Sequence, residues 1–226
     1  ALHQSHTVYE YFRSFFLGNS DAVALRLEML CKLPVDYASD IGELVDQVLG
    51  PDELLYNTDE NLLDGLCALL EKISESAGVV RVREAILVQK KRRFGTNSKE
   101  AGEALFKLGN AYEALGDAAK ARDAYERALP IYELECGSNS AAVASVLNSL
   151  GNAHGDLGDQ AKKREMLERA LAINEREHGE DGKNVAITLN NLGNAYGELR
   201  DYKKQRDFLE RALAIEERAY GRDHPS

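Results

Sequence analysis

Histidine, cysteine and carboxylate side chains are where a catalytic or metal centre would begin, and in this chain they are scattered. The five histidines, His3, His6, His154, His178 and His224, form no His-Glu-x-x-His pair, and neither a Gly-x-Ser-x-Gly elbow nor a phosphate-cradling glycine loop occurs. The densest group of donors is Glu175, Glu177, His178, Glu180 and Asp181. Such an oxygen-rich set would suit a hard cation, but the residues level with His178 in the internal repeats of the chain are Cys136 and Tyr220. A ligand site would keep its donors from repeat to repeat, whereas a variable helix end need not. No catalytic residue, metal or cofactor is expected, and the chain is read as a binding protein and not as an enzyme.

The more regular chemistry is that of carboxamides. Asn110, Asn152 and Asn194 recur 42 residues apart. Asn148, Asn152 and Asp156 fall at i, i+4 and i+8, as do Asn190, Asn194 and Glu198, while Phe106, Asn110 and Ala114 take the matching places. Lys107 and Asn191 lie beside them. Asparagine is a mediocre helix former, so its return at one place in successive helices calls for a reason. A carboxamide both donates and accepts, so a ladder of them can satisfy the backbone of an extended peptide whatever its side chains. Gly155 and Gly197 would let that backbone come close. The candidate peptide-binding residues are thus Phe106, Lys107, Asn110, Asn148, Asn152, Asn190, Asn191 and Asn194. The competing expectation is that the asparagines bond to each other and to neighbouring helices to order a stack.

The elements that must position these residues follow from self-similarity. A shift of 42 residues superimposes Leu108-Gly109-Asn110-Ala111 on Leu150-Gly151-Asn152-Ala153 and on Leu192-Gly193-Asn194-Ala195 without gaps. It also aligns Glu126-Arg127-Ala128-Leu129 with Glu168-Arg169-Ala170-Leu171 and Glu210-Arg211-Ala212-Leu213. Three repeats are therefore expected over residues 98–139, 140–181 and 182–223, with a degenerate one over 56–97, where Leu66, Leu87 and Gly95 underlie Leu108, Leu129 and Gly137. Residues 224–226 look like the opening of a further, truncated repeat.

Inside a repeat, Leu147, Leu150, Ala153, His154 and Leu157 recur at helical spacing before Gly158-Asp159, a C-cap glycine followed by an N-cap aspartate. Met166, Leu167, Ala170, Leu171 and Ile173 then share a face of a second helix that ends before Gly179. Each repeat reads as helix A, tight turn, helix B and loop. Gly109, Gly151 and Gly193 sit in the middle of helix A, where glycine costs about 1 kcal/mol relative to alanine, and close approach of helix B is the simplest compensation. Arg122 with Glu126, Arg164 with Glu168, and Arg206 with Glu210 are i,i+4 pairs on helix B, read as a solvated outer face. Pro130 is expected to remove one backbone bond from its helix B and to kink it.

On these residues the chain resembles the tetratricopeptide repeat: Leu108-Gly109 with Tyr112, and Leu192-Gly193 with Tyr196, match its helix A pattern, and His154 replaces the aromatic in between. The 42-residue period and the ending Tyr220-Gly221-Arg222-Asp223-His224-Pro225 are similar to the kinesin light chain variety. The family's small residue on helix B is met by Ala121 and departs to Lys163 and Gln205. The resemblance implies an all-α, right-handed α-solenoid of stacked antiparallel helix pairs, with the A helices lining a concave groove. It also implies a protein-interaction scaffold or adaptor. Some members grip a terminal carboxylate with a cation on helix A, for which Lys107 is the candidate here. Since Glu103, Glu113, Asp156 and Glu198 lie at or near the same surface, a neutral or basic protein segment is the expected partner.

Other classes fit less well. The formal net charge of −10 repels phosphate backbones and anionic lipid, so no nucleic acid and no membrane partner is expected. The basic run Lys90-Lys91-Arg92-Arg93 is placed in a last helical turn, where cations complement the helix dipole. No apolar stretch approaches a membrane span. Three widely spaced cysteines, Cys31, Cys67 and Cys136, indicate neither a disulfide framework nor a zinc site and fit a reducing, cytoplasmic setting. Starting on Ala1 and stopping abruptly, the chain is expected to be a fragment. Residues 1–55, with Tyr9, Tyr11, Phe12, Phe15 and Phe16, are expected to form a helical cap or a diverged repeat. Two alternatives remain: the sensor arm of a larger signalling ATPase, and a structural element that self-associates through its C-terminal repeat, where Phe208, Leu209 and Leu213 would be partly uncovered.

Overall fold

A computed structural model describes residues 60–72, 74 and 76–220. The expectations for residues 1–55, for residues 224–226, and for His3, His6, His224 and Cys31 lie outside the described residues. The chain divides into two units, the first ending at Thr96 and the second beginning at Asn97. All the described elements are α-helices: α1 (Glu60–Lys72), α2 (Ser76–Phe94), α3 (Lys99–Leu115), α4 (Ala118–Cys136), α5 (Ala141–Asp156), α6 (Gln160–His178), α7 (Lys183–Glu198) and α8 (Tyr202–Tyr220).

In the first unit α1 packs on α2. Leu63, Leu66, Cys67 and Leu70 follow helical spacing and are fully buried, and Val79, Val82, Ala85 and Ile86 are among the buried residues of the partner helix. Polar ends fasten the pair through Lys90 to Glu60 at 2.7 Å and Arg83 to Asp64 at 2.5 Å. The last turn of α2 carries Lys91, Arg92 and Arg93, where the helix dipole favours cations.

The second unit is a run of three helix hairpins, α3–α4, α5–α6 and α7–α8, stacked in sequence, so that the fold is an all-α solenoid. Helices α3, α5 and α7 are the A helices. Each turn between A and B is made the same way. Asp117, Asp159 and Asp201 cap the B helices by accepting from the backbone N–H three residues on, at 3.1, 3.1 and 3.2 Å. The residue before each cap has positive φ: 83° at Gly116, 84° at Gly158, and 61° at Arg200, where a side chain stands in the left-handed region that glycine enters freely. Pro130 does not end its helix, which runs on to Cys136.

Closure of each hairpin depends on the glycine in the middle of helix A. A Cβ at Gly109 would lie 2.3 Å from the Tyr125 ring, one at Gly193 2.7 Å from Leu209, and one at Gly151 3.2 Å from Leu167. Tyr125, Leu167 and Leu209 occupy one register position on helix B, so the sequence expectation of close helix approach holds in all three hairpins. A second contact varies in concert. Where the first hairpin has Glu113 opposite Ala121, the others have glycine opposite a long side chain. A Cβ at Gly155 would fall 2.5 Å from Lys163 Cδ, and one at Gly197 2.6 Å from Gln205 Nε2. These two glycines lie against the ends of the Lys163 and Gln205 side chains of helix B. They also show how the chain accommodates its departure from a small residue at Lys163 and Gln205.

Hairpin stacks on hairpin through apolar clusters. Leu129 and Tyr132 pack on Val143, Ala144, Leu147, Ala170 and Ile173, and Leu171 packs on Val185, Ala186, Leu189, Ala212 and Ile215. Periodic ion pairs bridge the B helices: Arg169 to Glu133 at 2.5 Å and Arg211 to Glu175 at 2.7 Å. Arg176 donates to the Asn139 carbonyl at 2.7 Å, and Arg218 pairs with Asp181 at 2.7 Å. Of the acidic group around His178, Glu175 and Asp181 thus make inter-repeat ion pairs, Glu177 lies 3.8 Å from Arg176 on its own helix, and His178 itself is 3.4 Å from the Asn184 carboxamide. Consecutive A helices touch directly, whereas the B helices are spanned by long side chains, so the stack is tighter on the helix A side.

The glycine contacts rank the cost of substitution. Gly109→Ala is expected to lower stability by about 1–3 kcal/mol, because an aromatic ring cannot yield 1 Å or so without moving helix B. Gly151→Ala, with a looser contact and a gain in helix propensity, is expected to be close to neutral; thermal unfolding of the two variants checks the order.

Candidate functional site

The A helices present one face to helix B and another to solvent, and the asparagines divide between them. Phe106, Asn148 and Asn190 occupy one register position and are half-buried, Phe106 and Asn190 against helix B of their own hairpin and Asn148 against helix A of the next. Phe106 meets Tyr132 edge-on at 6.1 Å. Asn190 donates to Glu216 at 3.1 Å. Asn148 donates to Thr188 Oγ1 at 3.0 Å, and Asn174 donates to the same oxygen at 3.1 Å. Tyr132, Asn174 and Glu216 share a register position as well, so this A-to-B contact changes chemistry as a unit: ring on ring, amide with amide through Thr188, amide on carboxylate. The Thr188 bridge ties α5, α6 and α7 together, which is the stack-ordering role of the competing expectation.

Asn110 is exposed and held from below. The Tyr125 hydroxyl lies 2.8 Å from the Asn110 carboxamide and 2.8 Å from the Glu113 carboxylate. A phenol has one proton, so the Tyr125 hydroxyl shares its donation between Asn110 Oδ1 and the Glu113 carboxylate. Burial, reinforced by Glu113, drives the Tyr125 pKa far up. Asn152 and Asn194 stand over Leu167 and Leu209 in place of that tyrosine, and among the described residues their carboxamides have no hydrogen-bond partner, nor has that of Asn191.

The stripe that holds these carboxamides on α7 is Ile187, Asn191, Asn194 and Glu198, exposed except for the half-buried Asn191, and on α5 it is Ser145, Ser149, Asn152 and Asp156, of which Ser149 and Asn152 are half-buried. Lys107 and Asn110 take the matching places on α3. Ile187, 45% exposed, and the two serines belong to this surface but are not recognisable in the sequence, because an apolar or small residue at helical spacing reads as core. The Asp156 and Glu198 carboxylates make no ion pair among the described residues.

Helix B contributes at the repeat boundaries. Glu168 accepts from the Tyr196 hydroxyl of the next repeat at 2.5 Å, and Glu126 lies 3.7 Å from His154 at the equivalent place. The Arg122–Glu126 and Arg164–Glu168 pairs, both 3.8 Å, are therefore part of the stacking contact and not solely a solvated outer face. Burial, and then the charge of Lys162, lower the His154 pKa, so the imidazole that replaces the tyrosine stands neutral. Tyr196 also stacks on Phe208 at 5.3 Å.

A run of helix hairpins stacked in this way defines a repeat scaffold of the protein-interaction class. The sequence matches the tetratricopeptide repeat over residues 83–134, 100–162 and 142–218, and the chain belongs to that family. Its fold is that of the kinesin light chain-like kind. BtubC (BKLC) from P. vanneervenii is similar with a TM-score of 0.65 at 23% identity, over 99% of this chain and 92% of that one. A putative kinesin light chain from Podospora anserina, with nearly identical TPR-like repeats, is similar with a TM-score of 0.64 at 17% identity, over 86% of this chain and 97% of that one. A Rap protein complexed with competence and sporulation factor is similar with a TM-score of 0.57 at 13% identity, over 92% of this chain and 54% of that one. No curated protein matches in sequence. Among the described residues no helix is long and apolar enough to cross a membrane.

The Tyr196–Glu168 bond has an alkaline signature. Burial first, and then Glu168, push the Tyr196 pKa up to about 12, above the unfolded value near 10. Its contribution is thus complete below pH ~10 and is lost as pH rises from about 10 through 12. Tyr196→Phe is expected to lower stability by about 1 kcal/mol at neutral pH, with the gap from the unsubstituted protein closing between pH ~10 and 12 in urea titrations.

Proposed function

We propose that the A-helix face of residues 99–198 binds an extended protein segment, with carboxamides meeting its backbone. The observation that carries this is the division of the asparagines: Asn148 and Asn190 are spent on packing, while Asn152, Asn191 and Asn194 present unpaired donors and acceptors in adjacent helices. Asparagine on a solvated helix face is otherwise a poor choice, since it competes with the helix for its own backbone. A Rap protein of the same fold is complexed with competence and sporulation factor, which supports a binding role for such a stack. The preferred segment is neutral or basic, because Asp156 and Glu198 lie on this face without cations of their own, whereas only Lys107 there would favour an acidic end. In a peptide-array binding experiment, Asn152→Ala/Asn194→Ala is expected to lose most of the binding while keeping the helical circular dichroism of the parent. Undiminished binding by the folded variant would move the site off this face.

A second reading, self-association through α8, is favoured by Leu213. Its register mates Leu129 and Leu171 pack into the following repeat, whereas Leu213 is 53% exposed. Phe208 is half-buried against Tyr196, so the exposed Leu213 is the position at which a charge leaves the core intact. Self-association predicts a molar mass that rises with concentration in light scattering and falls to that of the monomer in Leu213→Glu.

A further inference from the structure

The two edges of the A-helix face differ in chemistry, and this difference specifies what kind of segment it takes. On α7 Ile187 and Glu198 flank the carboxamides of Asn191 and Asn194 and project from the same side of the helix, since steps of four, three and four residues bring each side chain back to nearly the same angle. Eleven residues of helix separate them by about 16 Å along its axis. On α5 the same two edges are Ser145, whose hydroxyl is turned back to the Ala141 carbonyl at 3.1 Å, and Asp156. One edge of the face is therefore uncharged and, at Ile187, openly apolar; the other carries a carboxylate in each of two adjacent helices. Both carboxylates are exposed and without ion pairs among the described residues, although Arg122, Arg164, Arg169, Arg206 and Arg211 elsewhere in the stack all have acidic partners.

A strand lying along the stack crosses the A helices, which pack about 8–10 Å apart, so roughly three extended residues pass from one carboxamide to the next. Successive side chains of such a strand point to opposite sides. With its backbone on Asn152 and Asn194, one set of side chains reaches the Ile187 edge and the alternate set reaches the edge of Asp156 and Glu198. We infer that the segment bound here is a two-sided extended one, with lysine or arginine at alternate positions facing Asp156 and Glu198 and an aliphatic residue of the opposite parity on Ile187. This rests on the proposed peptide-binding role of the same face and adds to it the partner's pattern.

The test uses two labelled peptides of about ten residues and identical composition, each of lysine, valine and serine. One confines lysine to odd and valine to even positions, with serine filling the rest, and the other distributes both over the two parities. In fluorescence anisotropy the alternating peptide is expected to bind the whole chain about tenfold more tightly than the mixed one. Asp156→Lys/Glu198→Lys, at exposed positions, is expected to transfer the preference to the version with glutamate in place of lysine. Ile187→Asp is expected to erase the advantage of the alternating order while retaining the preference for lysine over glutamate. Equal affinity for both orders, or an unchanged preference in the charge-reversed variant, overturns the inference. If Asn152→Ala/Asn194→Ala still loses binding in that case, the proposed function stands without it; if no peptide binds, or if the asparagine variant binds as the parent does, both fall.

Discussion

Three glycines in the middle of three A helices set how near each B helix can come. With a side chain at Gly109 or Gly193, Tyr125 or Leu209 would have no place to lie, and the two helices of the hairpin would separate. The hydrogen bonds and stacking contacts of each repeat rely on that spacing. Only a closed hairpin brings Asn190 to Glu216, or lets Tyr125 reach across helix A to Asn110 and Glu113. Close helices in turn give each repeat a flat flank on which the next can settle with Leu129 or Leu171 in its core. Glycine is unfavourable within a helix, and the contacts it admits offset that cost three times over.

Around this fixed distance the side chains vary in matched sets. Glu113 with Ala121 becomes Gly155 with Lys163 and Gly197 with Gln205, so the volume moves from one helix to the other while the gap stays filled. Phe106 with Tyr132 becomes Asn148 with Asn174 and Asn190 with Glu216. Packing favours volume conserved across a contact, not at a single residue. The stack is thereby uniform in backbone and different in chemistry at each level.

Polar groups that stiffen the stack and polar groups left to solvent lie within one turn of each other. Asn148 is bound to Thr188, whereas Asn152, four residues on, is unpaired among the described residues. The ion pairs divide likewise: Glu133, Glu175 and Asp181 hold the next repeat, while Asp156 and Glu198 hold nothing within the described residues. The proposed binding face would need rigid support beneath and unsatisfied groups above, and the two sets of side chains supply one each.

The sequence by itself determined the helical hairpin, its tight turn at Gly158-Asp159, the close approach at Gly109, Gly151 and Gly193, and the family. Each of these rests on local capping chemistry or on a pattern repeated at a fixed spacing, which no distant contact overrides. The phase of each A helix about its axis stayed open. Asn148 and Asn152 are both at helical spacing, and nothing local says which of them bonds to a neighbouring helix. Only the packed structure decided that Asn148 and Asn190 face inward, that Gly155 and Gly197 serve Lys163 and Gln205, and that Glu168 reaches the next repeat's Tyr196. The reason is physical. A residue every 100° around a helix distinguishes one broad face from another, but a half-buried position at the border is assigned only when a neighbouring helix arrives to cover it.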